Sequence, residues 1–201
     1  MSGKFTLNAG PDTDAWRKPP STNIFNAPTK SILSGNPKPL KSFQSARITF
    51  TAPWTTLYDQ GGLLLHLTNP SNPDRTSAAG VDHWLKTGIE WYQERAWIST
   101  VGADNYADWS IFPVPKEDEK KKVTIEVRRE GTGLWVYQIN KGGADEGRQP
   151  LREVAWFFAK EDEGWVIDVK AMAARPAKED KVVGEKELVV EFEDAQVVFS
   201  E

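Results

Sequence analysis

The chain has 201 residues, a length that one domain accounts for and that buries a full core without disulfide or metal staples. It has no cysteine, which excludes disulfides, thiolate metal sites and a cysteine nucleophile; its net charge of −4 argues against a basic nucleic-acid footprint. Nine Trp and nine Phe are many for this length and must fill a core or line a groove.

The opening MSGKFTLNAG carries no apolar stretch of leader length, and no later run reaches a membrane span. A cytoplasmic protein with no membrane and no nucleic-acid partner is expected. Residues 8–40 hold Pro11, Pro19, Pro20, Pro28, Pro37 and Pro39 among few periodic apolar residues. Proline removes ladder donors, so residues 1–40 read as an ordered, irregular lead-in with short edge strands. Residues 41–199 read as the body of a single domain.

In that body the dominant signal is alternation. Ala46–Thr51 is apolar at even positions. Gln60, Gly62, Leu64 and His66 share one strand face, with the apolar set Leu63, Leu65 and Leu67 opposite. Trp84, Lys86, Gly88, Glu90 and Tyr92 share a face opposite Leu85, Thr87, Ile89 and Trp91. Val123–Arg128 and Trp165–Ala171 are apolar at odd positions, which places Asp168 and Lys170 on an outer face. Val190 and Phe192 point one way, and the parity flips after Asp194 to Ala195, Val197 and Phe199. A bulge or turn at Glu193–Asp194 accounts for the flip.

Turn residues separate these runs at 69–73, 102–105, 113–118, 130–133, 142–143 and 161–164. Lys120–Lys122, after Glu117–Glu119, reads as a solvated turn. No helical stripe is sustained; a short helix near 144–146 or within 177–181 stays open, without support from periodicity. Residues 176–187 read as a long exposed loop. Many short alternating strands with frequent turns define an all-β sandwich or barrel of antiparallel strands.

Three phrases carry a resemblance: Tyr58-Asp59-Gln60-Gly61-Gly62-Leu63, Trp84-Leu85-Lys86-Thr87-Gly88-Ile89-Glu90 and Asp108-Trp109-Ser110. With the strand that follows them they resemble the DUF1349 family over residues 40–199, and the opening resembles its fungal cytosolic members. The resemblance implies a concanavalin A-like jelly-roll sandwich of two antiparallel sheets. It implies little about function, since that architecture hosts lectins, hydrolases and inert modules.

In a jelly roll the outer face of one sheet curves into a groove. If the Gln60 and Trp84 strands are neighbours there, Gln60, His66, Lys86 and Glu90 converge, with Glu126, Arg128, Asp168 and Lys170 as further candidates. The ligand-binding set is Tyr58, Gln60, His66, Trp84, Lys86, Glu90, Tyr92, Asp108, Trp109 and Arg128, in which polar groups orient sugar hydroxyls and flat rings stack on sugar faces. The plain alternative is a solvated sheet face of weak cross-strand ion pairs, with Asp108 bracing a turn.

Glycoside hydrolysis needs a pair of carboxyl groups, and no strand carries two glutamates around an aspartate. Ser110 lacks a nucleophile-elbow pattern. His66, His83 and Asp82 match no metal-ligand spacing, and no phosphate loop follows a strand, so neither metal nor cofactor is expected. Three functions stay open. The first is binding of a carbohydrate or small metabolite, with a role in regulating sugar metabolism. The second is a protein-interaction module acting on a glycolytic enzyme. The third is a non-hydrolytic isomerase, lyase or cyclase using Glu90, Lys86 and His66 for proton transfer.

Overall fold

A computed structural model describes residues 3–72, 82–119, 121–140 and 147–200. Its strands are β1 (Phe5–Ala9), β2 (Ala15–Lys18), β3 (Thr22–Phe25), β4 (Thr29–Ser31), β5 (Lys38–Pro39), β6 (Phe43–Thr51), β7 (Gln60–Thr68), β8 (His83–Tyr92), β9 (Arg95–Ala103), β10 (Ala107–Pro113), β11 (Val123–Glu130), β12 (Gly133–Asn140), β13 (Gly147–Val154), β14 (Val166–Ala174) and β15 (Leu188–Phe199). One sheet runs β1-β15-β6-β11-β12-β13; the other runs β10-β9-β8-β7-β14-β4, with β5 also on β14. The ladders are antiparallel, as the alternation requires.

The core lies between the sheets and takes the residues that alternation assigned inward. Ile48 and Phe50 of β6, Leu63 and Leu65 of β7, Leu85 and Ile89 of β8, Ile125 and Val127 of β11, and Ile167 and Val169 of β14 all pack there, buried. The parity flip in β15 is a β-bulge. Glu193 pairs with Thr49 and Gln196 with Arg47, so three steps oppose two. Asp194 supplies the bulge with a left-handed φ of 53°. Ala195, Val197 and Phe199 then rejoin the core surface.

Two expectations need revision. The lead-in supplies edge strands β1 and β4, but its β2–β3 hairpin lies on the outer face of the seven-stranded sheet, where Ala15 packs against Leu64, Trp84, Val101, Ala103 and Met172. A few exposed apolar rings and small residues are enough to bury that hairpin, and they show no period in the sequence. The expected turn at 102–105 starts two residues late, because Gly102 and Ala103 still pair with Asp108 and Ala107. The 142–143 turn, the 144–146 segment, Pro73 and Lys120 lie outside the described residues. Among those described, no helix is long and apolar enough to cross a membrane.

Candidate functional site

Strands β7 and β8 are neighbours, in the register Gln60–Glu90, Gly62–Gly88, Leu64–Lys86 and His66–Trp84. The polar faces read from the sequence therefore do coincide. The glycines of this register are sterically required. A Cβ on Gly88 would stand 2.0 Å from the Gly61 carbonyl oxygen, and one on Gly62 would stand 2.2 Å from that of Thr87. The gap they leave, bounded by Gln60, Lys86, Ser99 and Met172, is only about 10 Å³, room for about one water molecule.

The Lys86 half of the face is filled by the chain itself. Lys86 Nζ donates to Gln60 Oε1 at 2.7 Å and to Asp14 Oδ1 at 2.9 Å, and its side chain is 5% exposed. The rings of Trp16 and Trp84 each lie 5.9 Å from the ammonium. Phe25 of the hairpin packs at a tilt against His66, ring centres 4.8 Å apart, and reaches Trp84 at 6.2 Å. His66 Nε2 is 2.8 Å from Asp82 Oδ2. Asp168, opposite His66 on β14, accepts from Ser31 and pairs with Lys170.

The Glu90 half has a different character. Ser99 Oγ, from β9, donates to Glu90 Oε2 at 2.7 Å, and Trp109 Nε1–H donates to Ser99 Oγ at 3.1 Å. Above this chain, Tyr58 and Tyr92 stack with ring centres 5.7 Å apart and planes 13° from parallel. Trp109 sets its ring edgewise to Tyr92 at 5.4 Å and to Tyr58 at 6.5 Å. Tyr58 is 36% exposed, while Tyr92 and Trp109 are half-buried, so the cluster opens to solvent.

Tyr58 reaches this place through backbone geometry. It holds a left-handed φ of 65°, and its N–H donates to the Trp91 carbonyl at 2.7 Å. The next residue, Asp59, is wholly buried and accepts two hydrogen bonds from the Arg175 guanidinium, at 2.7 and 2.8 Å. Asp59 Oδ2 also accepts from the N–H groups of Thr55 and Thr56. The Tyr58 loop is thus clamped to Arg175, just past β14, and to the end of β8.

Burial raises the Glu90 carboxyl above its ordinary pKa, and Asp14 adds to the rise; the Ser99 hydrogen bond, the Lys86 charge and Trp109 oppose it. The Tyr58 phenol is raised as well, by burial first and then by Tyr92 and Glu90. The result is a buried carboxyl with a raised pKa beside three aromatic rings.

The structure does not bring every candidate here. Arg128 lies on β11 in the other sheet, facing outward beside Glu126 and Glu130 at 3.7 and 3.5 Å. Period-2 alternation gives the face of a residue but not its sheet. Trp84 is 1% exposed beneath the hairpin, and Asp108, 78% exposed at its side chain, binds Arg152 at 2.6 Å. Three contributors escaped the sequence reading. Ser99 follows from β9 alternation once β9 is paired with β8, but Asp14 and Trp16 sit in an aperiodic segment. No cluster of three or more metal-ligating side chains occurs among the described residues.

Fold and face together define a concanavalin A-like jelly-roll sandwich whose seven-stranded sheet carries an aromatic cluster beside a buried carboxyl. The chain belongs to the family described as "Protein of unknown function (DUF1349)", whose model matches residues 1–199. It is 42% identical to protein AN7484 of Emericella nidulans, over 97% of this chain and 90% of that one. It is 26% identical to Regulation of enolase protein 1 of Saccharomyces cerevisiae, over 78% of this chain and 67% of that one. Among solved structures, a functionally unknown S. cerevisiae protein superposes with a TM-score of 0.63 at 20% identity, over 99% of this chain and 89% of that one. The GH43 protein BlXynB of Bacillus licheniformis gives 0.55 at 10% identity, covering 97% of this chain and 32% of that one. At these identities the two structures establish the fold alone.

Proposed function

We propose that this protein binds a neutral carbohydrate or related polyol on the aromatic cluster of Tyr58, Tyr92 and Trp109 beside Glu90, and that it serves as a cytoplasmic regulator of sugar metabolism. The observation that carries the reading is the open aromatic cluster directly over the Glu90–Ser99–Trp109 hydrogen-bond chain. Aromatic faces stack on the C–H surface of a sugar, and a carboxyl accepts hydrogen bonds from its hydroxyls. The regulatory part rests on similarity to Regulation of enolase protein 1, a name that also favours the competing reading of a protein-interaction module on a glycolytic enzyme. The proton-transfer reading is less favoured. Lys86 and His66 are each engaged by a carboxylate, and the space beside Lys86 holds about one water.

The test is isothermal titration and thermal shift of the full chain against neutral sugars, polyols and sugar phosphates. Binding raises the apparent stability by mass action. Trp109→Ala and Tyr92→Ala, confirmed folded by circular dichroism, should lower the affinity for the ligand found by about fivefold, since an aromatic stacking contact is typically worth about 1 kcal/mol. Silence across all neutral compounds, with stoichiometric capture of purified enolase, would replace this reading with the interaction module.

A further inference from the structure

A cavity of about 470 Å³ lies beside the segment that links β6 to β7. That volume falls in the range of small-molecule sites, roughly 300–1,000 Å³. Its apolar walls come from Ala52, Pro53, Trp54, Trp91 and Val189. Val189 is 37% exposed and Glu191, which also lines the cavity, is exposed as well, so the space reaches solvent.

Both tryptophans are fixed before any ligand arrives. Trp54 is buried in the core cluster, and Trp91, half-buried, packs against that cluster. A Cβ on Gly61 would stand 3.1 Å from Trp54 Cη2 and 3.0 Å from Val190 Cγ1, so the indole rests on the β7 backbone beside Val190. Asp59 Oδ2 accepts from the N–H groups of Thr55 and Thr56, and Thr55 Oγ1 donates to the Val183 carbonyl at 2.8 Å. The Asp59 carbonyl accepts from Trp91 N–H at 2.8 Å. One clamped loop therefore holds both rings, which lowers the ordering cost of binding.

The charge of the lining has one sign. Glu119 and Glu191 line the cavity, and no Lys, Arg or His among the described residues does. Glu119 has Arg95 at 3.5 Å. Glu191 has no ion-pair or hydrogen-bond partner among the described residues, whereas Glu193, two residues on and on the same strand face, takes both Lys4 and Lys122. An unpaired carboxylate and indole rings both attract a cation. The walls narrow the class further. A primary ammonium brings three N–H donors that need acceptors, and these walls are mostly carbon. A quaternary ammonium has no such donor and offers methyl groups to them.

We propose that this cavity binds a small quaternary ammonium compound, with Trp54 and Trp91 against its methyl groups and Glu191 balancing its charge. The site is separate from the cluster of Tyr58, Tyr92 and Trp109. Trp91 and Tyr92 are successive residues of β8 and point to opposite faces of its sheet.

The experiment is NMR titration of the ¹⁵N-labelled full chain with choline, following the indole N–H signals of Trp54, Trp91 and Trp109. The expected result is a saturable shift of Trp54 and Trp91 with Trp109 unmoved. In 3,3-dimethylbutan-1-ol a carbon replaces the nitrogen of choline, and this neutral analogue should bind about tenfold more weakly. Ethanolamine, the primary amine, should also bind more weakly than choline. Glu191→Gln removes an exposed charge without touching the core, and should weaken choline about fivefold while leaving the neutral analogue unchanged. The comparison of choline with the alcohol needs no variant. An absent or linear response to choline overturns the proposal. Equal affinity for the alcohol overturns it too, because the cavity would then be merely apolar. Tighter binding of ethanolamine refutes the quaternary class, and a shift confined to Trp109 would place the cation on the other cluster and refute the site.

Discussion

Lys86 of the central strand donates a 2.9 Å charged hydrogen bond to Asp14, a carboxylate 72 residues earlier in the chain. The contact ties the proline-rich lead-in to the middle of the curved sheet. It divides the face in two: a half closed by the β2–β3 hairpin, and a half where Tyr58, Tyr92 and Trp109 reach solvent beside the buried Glu90.

Removing the carboxylate leaves a buried ammonium with Gln60 as its remaining partner. Asp14→Ala should therefore cost about 3 kcal/mol in urea unfolding, the lower end for breaking a buried pair on one side. Limited proteolysis should show new cuts between residues 10 and 27. A loss under about 0.5 kcal/mol would mean that the apolar contacts of Ala15 and Phe25 hold the hairpin unaided.

The Asp59–Arg175 pair is bidentate and almost wholly shielded, with side chains 0% and 2% exposed. Arg175→Met strands a buried carboxylate and is expected to cost about 3–5 kcal/mol. Asp108–Arg152, with the aspartate 78% exposed, is the natural contrast. Asp108→Ala should cost about 1 kcal/mol or less by the same measurement.

Glu90 makes stability depend on pH. The folded chain holds its proton more tightly than the unfolded chain, so its contribution is fully present below the unfolded value of about 4.5 and is lost as pH rises through the raised native value. Glu90→Gln keeps an acceptor for Ser99 and removes the titration. The stability of this variant relative to wild type should therefore increase as pH rises above about 4.5 and then level off. A difference independent of pH between 4 and 8 would refute the raised carboxyl.

Gly88 lies where β7 and β8 approach most closely. Gly88→Ala puts a methyl 2.0 Å from a backbone oxygen that cannot swing aside. The expected outcome is a loss of about 3 kcal/mol or failure to fold, at the upper end for overpacking. Gly131→Ala, at an open turn with nothing within 4 Å but a φ of 59°, should cost less, about 1 kcal/mol from left-handed strain alone.

Much of the fold was legible because alternation is local. Each of the runs around Ile48, Leu65, Leu85, Ile125 and Val169 states its own inward face, and each is buried as stated. The bulge at Asp194 was legible for the same reason, since an extra residue must flip the parity. The Gln60–Glu90 face was legible because both strands carry polar residues at matching parity. Arg128 shows the limit. Its strand alternates as cleanly as β8, yet it belongs to the other sheet, because period 2 does not encode strand order.

The sequence alone therefore determined an antiparallel sandwich, its family, its inward residues and the strand face on which Lys86 and Glu90 sit. Only the tertiary structure decided that Lys86 is a closed ion pair, that Glu90 lies under three rings, and that Trp54 and Trp91 share a cavity. The physical reason is range. Pleat and turn chemistry act between adjacent residues and leave a pattern in the chain. Charge pairing, ring stacking and burial act between segments brought together by folding, and they leave none.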